Sequence, residues 1–92
     1  MAEKWALIPD DTDLLVTHGP PQGVLDRTGD GRMVGCEELA ARLPSLRRLQ
    51  LHVFGHIHEA YGRVAQGSLT LVNASICDLA YRPINQPVVV DL

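Results

Sequence analysis

Three short segments of this 92-residue chain are apolar almost without interruption, rather than alternating between apolar and polar residues. They are Leu14–Val16, Leu51–Phe54 and Val88–Val90. Strands with this pattern are buried on both faces, as in parallel sheets covered by further layers. A domain of this length buries only roughly 60–65% of the surface of its unfolded chain. We therefore predict one α/β domain at most, with apolar sheet surface left exposed because one short helix cannot cover it.

The residue pattern predicts one main helix and about five strands. The helix is expected over Cys36–Leu43, and Pro44 ends it because proline cannot continue a helix comfortably. A strand, a helix and a second strand in this order normally give a right-handed parallel pairing. Gln66–Ser68 reads as the turn of a hairpin. The strands are predicted over Asp13–Thr17, Leu49–Phe54, Tyr61–Ala65, Leu69–Asn73 and Pro87–Asp91.

Histidines follow two of the predicted strands at their carboxyl ends. His18 comes directly after Asp13–Thr17, and His56 and His58 follow Leu49–Phe54 after a single glycine. Side chains two residues apart on an extended backbone point the same way, so His56 and His58 can face one point beyond the strand. Ligands of open α/β sheets gather outside the carboxyl ends of the strands. The three histidines therefore predict a metal site at this edge.

Imidazoles alone leave the identity of the metal open. Three histidines plus water form a recognised catalytic zinc arrangement. Two imidazoles one residue apart also suit Mn²⁺, Fe or Ni²⁺. The plain alternative for His56 and His58 is a polar pair at a strand end, but His18 follows a second strand independently and favours metal binding.

Two short motifs resemble those of a known enzyme family. Thr17-His18-Gly19-Pro20-Pro21 and Gly55-His56-Ile57-His58 are similar to the last two metal-binding motifs of the calcineurin-like metallophosphoesterases, which cleave phosphoesters with two metal ions. The resemblance is strongest for the metallophosphoesterase-domain branch, often described as class III cyclic-nucleotide phosphodiesterases, and it runs from about Trp5 to the end of the chain. Further matches are Ile8-Pro9, Val34 to Leu39, Leu51–Phe54, Tyr61-Gly62, Val72 to Ser75, Asn85 and Pro87–Asp91.

The resemblance implies a fold, a ligand set and a substrate class. The fold is the carboxyl-terminal part of an α/β/β/α sandwich, occupying residues 1–92. In the family pattern His18 and His56 bind one metal ion and His58 binds the other, each as a neutral imidazole. The complete family site holds two ions, Mn²⁺, Fe or Zn²⁺, and the implied substrate is a small phosphoester such as a cyclic nucleotide.

The amino-terminal motifs of that family have no counterpart in this chain. They are Asp-x-His, Gly-Asp-x-x-Asp, whose first Asp bridges the metals, and Gly-Asn-His, whose His is the general acid. The one Gly-Asp here, Gly29-Asp30, continues as Gly31-Arg32-Met33. Carboxylates are needed to neutralise two cations held ~3.5–4 Å apart. We therefore expect at most one ion on this chain and negligible hydrolysis by the chain alone.

Three roles are open to such a partial domain. It is part of a phosphoesterase whose missing half lies in the same gene product or in a complementing chain, or it is a non-catalytic module that binds a metal or a partner through its uncovered sheet. A homodimer that closes the sheet with itself is the third. The first role predicts that phosphodiesterase activity returns when a segment with the missing motifs is added, and the second predicts none.

Several residues near these motifs are weaker candidates. His52 lies within a strand and is predicted to bond backbone or support a ligand rather than bind metal. By the resemblance, Asp26 and Arg27 border the substrate pocket, and Asn73 bonds backbone near the site. Glu59 is predicted to be exposed or bonded to a ligating histidine.

The glycine-rich loop that contains Asp26 also partly matches a calcium-binding loop. Asp26, Thr28, Asp30 and Gly31 occupy the spacing of such a loop, and Glu37 stands at its twelfth position. Position three is Thr rather than Asp or Asn, and the preceding Gly/Pro-rich run cannot be the entering helix. An ordinary surface loop is therefore favoured.

Charge and composition do not indicate a nucleic-acid partner or a membrane-spanning segment. The net charge is −3 and the eight basic residues are not clustered, so a nucleic-acid partner is not expected. No segment is long and apolar enough to span a bilayer, and the first residues are not a signal peptide, so we expect a cytoplasmic protein. Cys36 and Cys77 are predicted to be buried or helix-start thiols.

Overall fold

The computed structural model describes residues 5–75, which form one four-stranded sheet and one short helix. The elements are β1 (Leu14–Val16), α1 (Glu37–Arg42), a 3-10 turn (Leu43–Ser45), β2 (Leu51–Phe54), a second 3-10 turn (His58–Ala60), β3 (Gly62–Gln66) and β4 (Leu69–Asn73). The predicted mixed α/β class is confirmed. The predicted strand at Pro87–Asp91 and Cys77 lie outside the described residues.

The sheet has the strand order β1-β2-β4-β3. β1 pairs with β2 in parallel, as predicted, and β2 pairs with β4 in parallel, so that Phe54 lies opposite Asn73. β3 returns antiparallel to β4. Because the carboxyl ends of β1, β2 and β4 share one edge, the residues that follow Val16, Phe54 and Asn73 come together there.

The predicted hairpin is present. β4 covers the predicted residues, and β3 begins one residue later than predicted, at Gly62. The turn consists of Gly67 and Ser68, and Gly67 has a φ of 62°, a left-handed conformation that glycine adopts without steric cost. The hairpin thereby fixes the register of β3 beside β4.

The core is concentrated on the two central strands. Leu51 and Phe54 of β2 and Leu71 and Val72 of β4 are buried. The strand β1 lies at the edge of the sheet, and its Leu14 and Val16 are 49% and 69% exposed. Two residues apart on a strand, these side chains share one face, so β1 leaves an apolar face exposed. The predicted exposed apolar surface is confirmed.

The helix α1 agrees with the predicted helix to within one residue at each end. Cys36 is its N-cap, and the thiol accepts a hydrogen bond from the backbone N of Leu39 at 3.4 Å. Glu37 and Glu38 occupy the first turn and Arg42 the last, as the helix dipole favours. The prediction of a helix-start thiol is confirmed for Cys36. No helix in residues 5–75 is long and apolar enough to cross a membrane.

The loop between β1 and α1 is closed by a buried carboxylate. Asp26 is 2% exposed, and its Oδ2 accepts hydrogen bonds from the backbone N of Gly23 and of Gly35, each at 2.9 Å. Gly35 packs so closely that a Cβ there would lie 2.4 Å from the carbonyl oxygen of Pro21. These contacts pin the loop against the start of α1.

Candidate metal centre

His18 and His56 meet at the carboxyl edge of the sheet. Their ring centroids are 4.6 Å apart and the planes are inclined by 41°. The backbone ladder brings them together, because Thr17 N donates to Val53 O at 3.0 Å and Gly55 N donates to His18 O at 3.0 Å. Both side chains are exposed, so both imidazoles are accessible to a metal ion. Two adjoining imidazoles fit two ligand positions of one ion.

His56 and His58 do not lie on an extended chain. β2 ends at Phe54, His56 has a φ of 70°, and His58 opens the second 3-10 turn. The extended backbone that the prediction assumed for His56 and His58 is therefore absent, because β2 ends before them. Within residues 5–75, no three His, Cys, Asp or Glu side chains are close enough to hold an ion. The assignment of His58 as a ligand stays a prediction.

The buried side chain of Asn73 connects the loop that carries His56 and His58 to the loop that contains Leu25. Its Nδ2 donates to the carbonyl oxygen of Ile57 at 2.9 Å and to that of Leu25 at 3.1 Å, and its Oδ1 accepts from Ser75 N at 3.1 Å. The side chain is 0% exposed. The prediction that Asn73 bonds backbone is confirmed, and one of its partners, Ile57, lies between His56 and His58.

His52 supports the strand end from which His18 projects. It is fully buried, and its Nε2 lies 3.0 Å from the hydroxyl of Thr17, which itself donates to the carbonyl oxygen of Gly19 at 2.8 Å. Because that hydroxyl proton is already used, Nε2 of His52 must carry the proton and donate it to Thr17. Burial lowers the pKa of His52 to about 4, so the ring is neutral at pH 7.

Arg27 and Glu59 lie around a second cleft of ≈ 420 Å³, which Asp26 and Tyr61 also line. Arg27 is exposed there, whereas both hydrogen bonds to the Asp26 carboxylate come from its own loop. Glu59 is exposed, as predicted, and accepts a hydrogen bond from Gly29 N at 3.0 Å. Hydrogen bonds from the backbone groups of Glu59 and Gly29 to this carboxyl lower its pKa. The substrate roles of Asp26 and Arg27 stay predictions.

No family model matches the chain. It is similar over its whole length to metallophosphoesterase domain-containing protein 1 of Homo sapiens and of Mus musculus, with 50% identity over 93 residues in each case. It is 41% identical over 91 residues, 97% of its length, to a UPF0046 protein of Caenorhabditis elegans. The chain belongs to the metallophosphoesterase-domain family.

The chain spans 28% of the length of the human and mouse relatives of this metallophosphoesterase-domain family, and 30% of the nematode one. The resemblance drawn from the histidine motifs is thus confirmed at the level of the family. The match fits the carboxyl-terminal portion that the resemblance indicated.

Two residues beside the histidines were not singled out as site residues from the motifs of the metallophosphoesterase-domain family. Thr17 links His52 to the His18 loop, and Trp5 lines the same ≈ 380 Å³ cleft as His18 and His56. Thr17 stands directly before a candidate ligand, and Trp5 is the single tryptophan of the chain. Both signals were in the sequence, but neither reveals a contact between residues far apart in the chain.

The left-handed backbone of His56 is expected to lower the stability of the fold by an amount that can be measured. An L-residue with a side chain pays roughly 1–2 kcal/mol in this conformation, whereas glycine does not. We expect His56→Gly to be more stable than His56→Ala by about 1 kcal/mol in urea unfolding. Both variants lose the imidazole and are expected to lose metal binding equally in a Zn²⁺ titration. Equal stability of the two would contradict the left-handed conformation.

Proposed function

We propose that this chain supplies the histidine part of a metal-dependent phosphoesterase site, with His18 and His56 as ligands of one ion and His58 as a ligand of the second ion of the complete site. The observation that carries the proposal is the pairing of the His18 and His56 rings, 4.6 Å apart between centroids, at the carboxyl edge of a parallel sheet. Membership of the metallophosphoesterase-domain family supports a divalent metal and a phosphoester substrate. We assign Mn²⁺, Fe or Zn²⁺ to the site, with at most one ion held by this chain.

The metal ligands present in this chain account for part of such a site but not for all of it. Exposed imidazoles bind divalent ions as neutral ligands, and two of them adjoin here. A bound metal supplies Lewis acidity toward the phosphoryl oxygens and lowers the pKa of water. The chain contains no Gly-Asp-x-x-Asp, and so lacks the carboxylate that the family uses to bridge two ions. Hydrolysis then depends on a segment that carries the Asp and Asn-His motifs, and the chain alone is inactive.

The residues of this chain position the ligands. The buried amide of Asn73 holds the carbonyl group between His56 and His58. The pair His52 and Thr17 holds the carbonyl group of Gly19, directly after His18. Both supports are neutral, so they set ligand orientation without adding charge to the site.

The proposed substrate is a small phosphodiester such as a cyclic nucleotide, attacked by water. By the family resemblance, Asp26 and Arg27 border the substrate pocket, and Arg27 is exposed in the cleft that Glu59 also lines. The proposed location is the cytoplasm. A complementing chain, or a second copy in a homodimer, would cover the exposed Leu14 and Val16 on β1.

A non-catalytic metal- or partner-binding module is the second candidate. The observation in its favour is the apolar face of the edge strand β1, where Leu14 and Val16 are 49% and 69% exposed. Exposed apolar patches on sheet edges favour association with another chain. In this role the histidines keep a metal without turnover.

Hydrolysis of bis-p-nitrophenyl phosphate with added Mn²⁺ tests the proposal. We expect no turnover by the chain alone, and turnover when a segment bearing the Asp-x-His, Gly-Asp-x-x-Asp and Gly-Asn-His motifs of a family member is added. The His56→Ala/His58→Ala double variant is expected to abolish that activity, whereas Gln66→Ala, an exposed change on β3, is expected to leave it intact.

Two other results would contradict the proposal. Turnover by the chain alone that the double variant abolishes would mean that the site is complete without the missing motifs. A complemented mixture that binds metal and stays inactive would favour the non-catalytic module.

A further inference from the structure

We infer that the cleft beside His18 and His56 receives an uncharged aromatic ester group of the phosphoester. This inference rests on the proposed function and adds the substrate class to it. The cleft has a volume of ≈ 380 Å³, within the range of small-molecule sites. The two imidazoles line it together with apolar side chains, so a phosphate at the histidines places its organic group against them.

The lining of this cleft carries no lysine, arginine, aspartate or glutamate among the described residues. Its lining residues include Trp5, Val34 and Ile57. A charged or polyhydroxylated group would lose its hydration there without gaining partners, which disfavours a second phosphate or a bare sugar. An aromatic ring would bury apolar surface and stack against the indole.

The indole wall is held in place by the helix α1. Trp5 Nε1 donates to the thiol of Cys36 at 3.3 Å, and the same thiol caps the helix. Arg42 donates from Nε to the carbonyl oxygen of Trp5 at 3.1 Å and from Nη2 to that of Ile8 at 2.6 Å. The aromatic wall is therefore part of the folded structure and is present before any ligand arrives.

The second cleft has a different chemistry. Its lining includes the charged residues Asp26, Arg27 and Glu59 beside Leu25, Met33 and Tyr61, and it does not include His18 or His56. Its charged residues suit a polar or anionic group, whereas the Trp5 cleft joins apolar residues to His18 and His56. This contrast assigns the aromatic group to the Trp5 cleft.

Fluorescence of Trp5, the single tryptophan of the chain, tests the inference directly. The 92-residue chain with bound Zn²⁺, which does not quench emission as paramagnetic ions do, is titrated with phenyl phosphate and with methyl phosphate. We expect phenyl phosphate to shift Trp5 emission and to bind about tenfold more tightly, a ratio typical of apolar-pocket discrimination.

Two neighbouring substitutions provide a matched pair. Val34 is 44% exposed and lines the Trp5 cleft, whereas Met33 is 51% exposed and lines the other one. Val34→Asp is expected to remove the preference for phenyl phosphate, and Met33→Asp is expected to retain it. Both positions are exposed, so neither change threatens the core.

The outcomes separate this inference from the proposed function. If Zn²⁺ binds through His18 and His56 but phenyl and methyl phosphate bind equally well, the aromatic subsite is wrong and the proposed function stands. If Zn²⁺ does not bind and neither ester binds, both are wrong. A preference that survives Val34→Asp would also overturn the assignment to this cleft.

Discussion

Replacing Asn73 by Asp is expected to lower the free energy of unfolding by about 2–4 kcal/mol, because the buried carbonyl group of Ile57 and the partly buried one of Leu25 lose their donor, and an unsatisfied buried group costs roughly 1–3 kcal/mol. The amide nitrogen of Asn73 donates to Leu25 O and Ile57 O, and a carboxylate would face both oxygens without a proton to offer. The side chain is 0% exposed, so water cannot compensate. Urea unfolding at pH 7 measures the loss.

Gln66→Glu is the matched control for this change. It makes the same amide-to-carboxylate exchange on an exposed residue of β3 and is expected to alter stability by no more than about 0.5 kcal/mol. A loss of similar size in both variants would show that added negative charge, rather than the Asn73 hydrogen bonds, is responsible. If Asn73→Asp is as stable as the parent chain, the Asn73 amide does not hold the loop that carries His56 and His58.

Acid is expected to destabilise the fold through His52. Its pKa is lowered by burial from 6.5 to about 4, so between these pH values the unfolded chain binds a proton that the folded chain does not. The stabilisation is complete above pH 6.5 and is lost as the pH falls toward 4. A shift of this size corresponds to about 3 kcal/mol at most. Urea midpoints measured from pH 7.5 to pH 4 check it.

His52→Gln isolates this contribution from the other titrating groups. The glutamine amide can still donate to Thr17 in place of Nε2, but it does not titrate. We expect the parent chain to lose about 3 kcal/mol more than His52→Gln between pH 7 and pH 4. Parallel pH profiles for the two proteins would mean that His52 is solvated or charged in the folded state.

The strands were predictable because their signals are local. Continuous apolar residues mark β2, and Gly67 marks the hairpin turn between β3 and β4. The parallel pairing of β1 with β2 followed from the helix between them. The predicted first strand was two residues longer than β1, which comprises Leu14–Val16.

The site was only partly predictable. That His18 and His56 meet follows from two parallel strands ending at one edge, and both strand ends were visible in the sequence. The orientation of His56 was not predictable from the sequence. Its left-handed backbone, with a φ of 70°, breaks the strand alternation of side chains on which the prediction relied. The bonds of Asn73 to Leu25 and Ile57 join positions 48 and 16 residues apart, and the local sequence pattern does not show which backbone groups the amide reaches.

Calorimetric titration of the purified chain with Zn²⁺ and with Mn²⁺ tests the central claim, that His18 and His56 form a metal site. We expect one ion per chain, with binding abolished by His18→Ala and by His56→Ala and unaffected by Gln66→Ala. His58→Ala in the same series decides whether the third histidine contributes. Ion binding of unchanged affinity in both His18→Ala and His56→Ala, or no binding by the folded parent chain, would contradict the account.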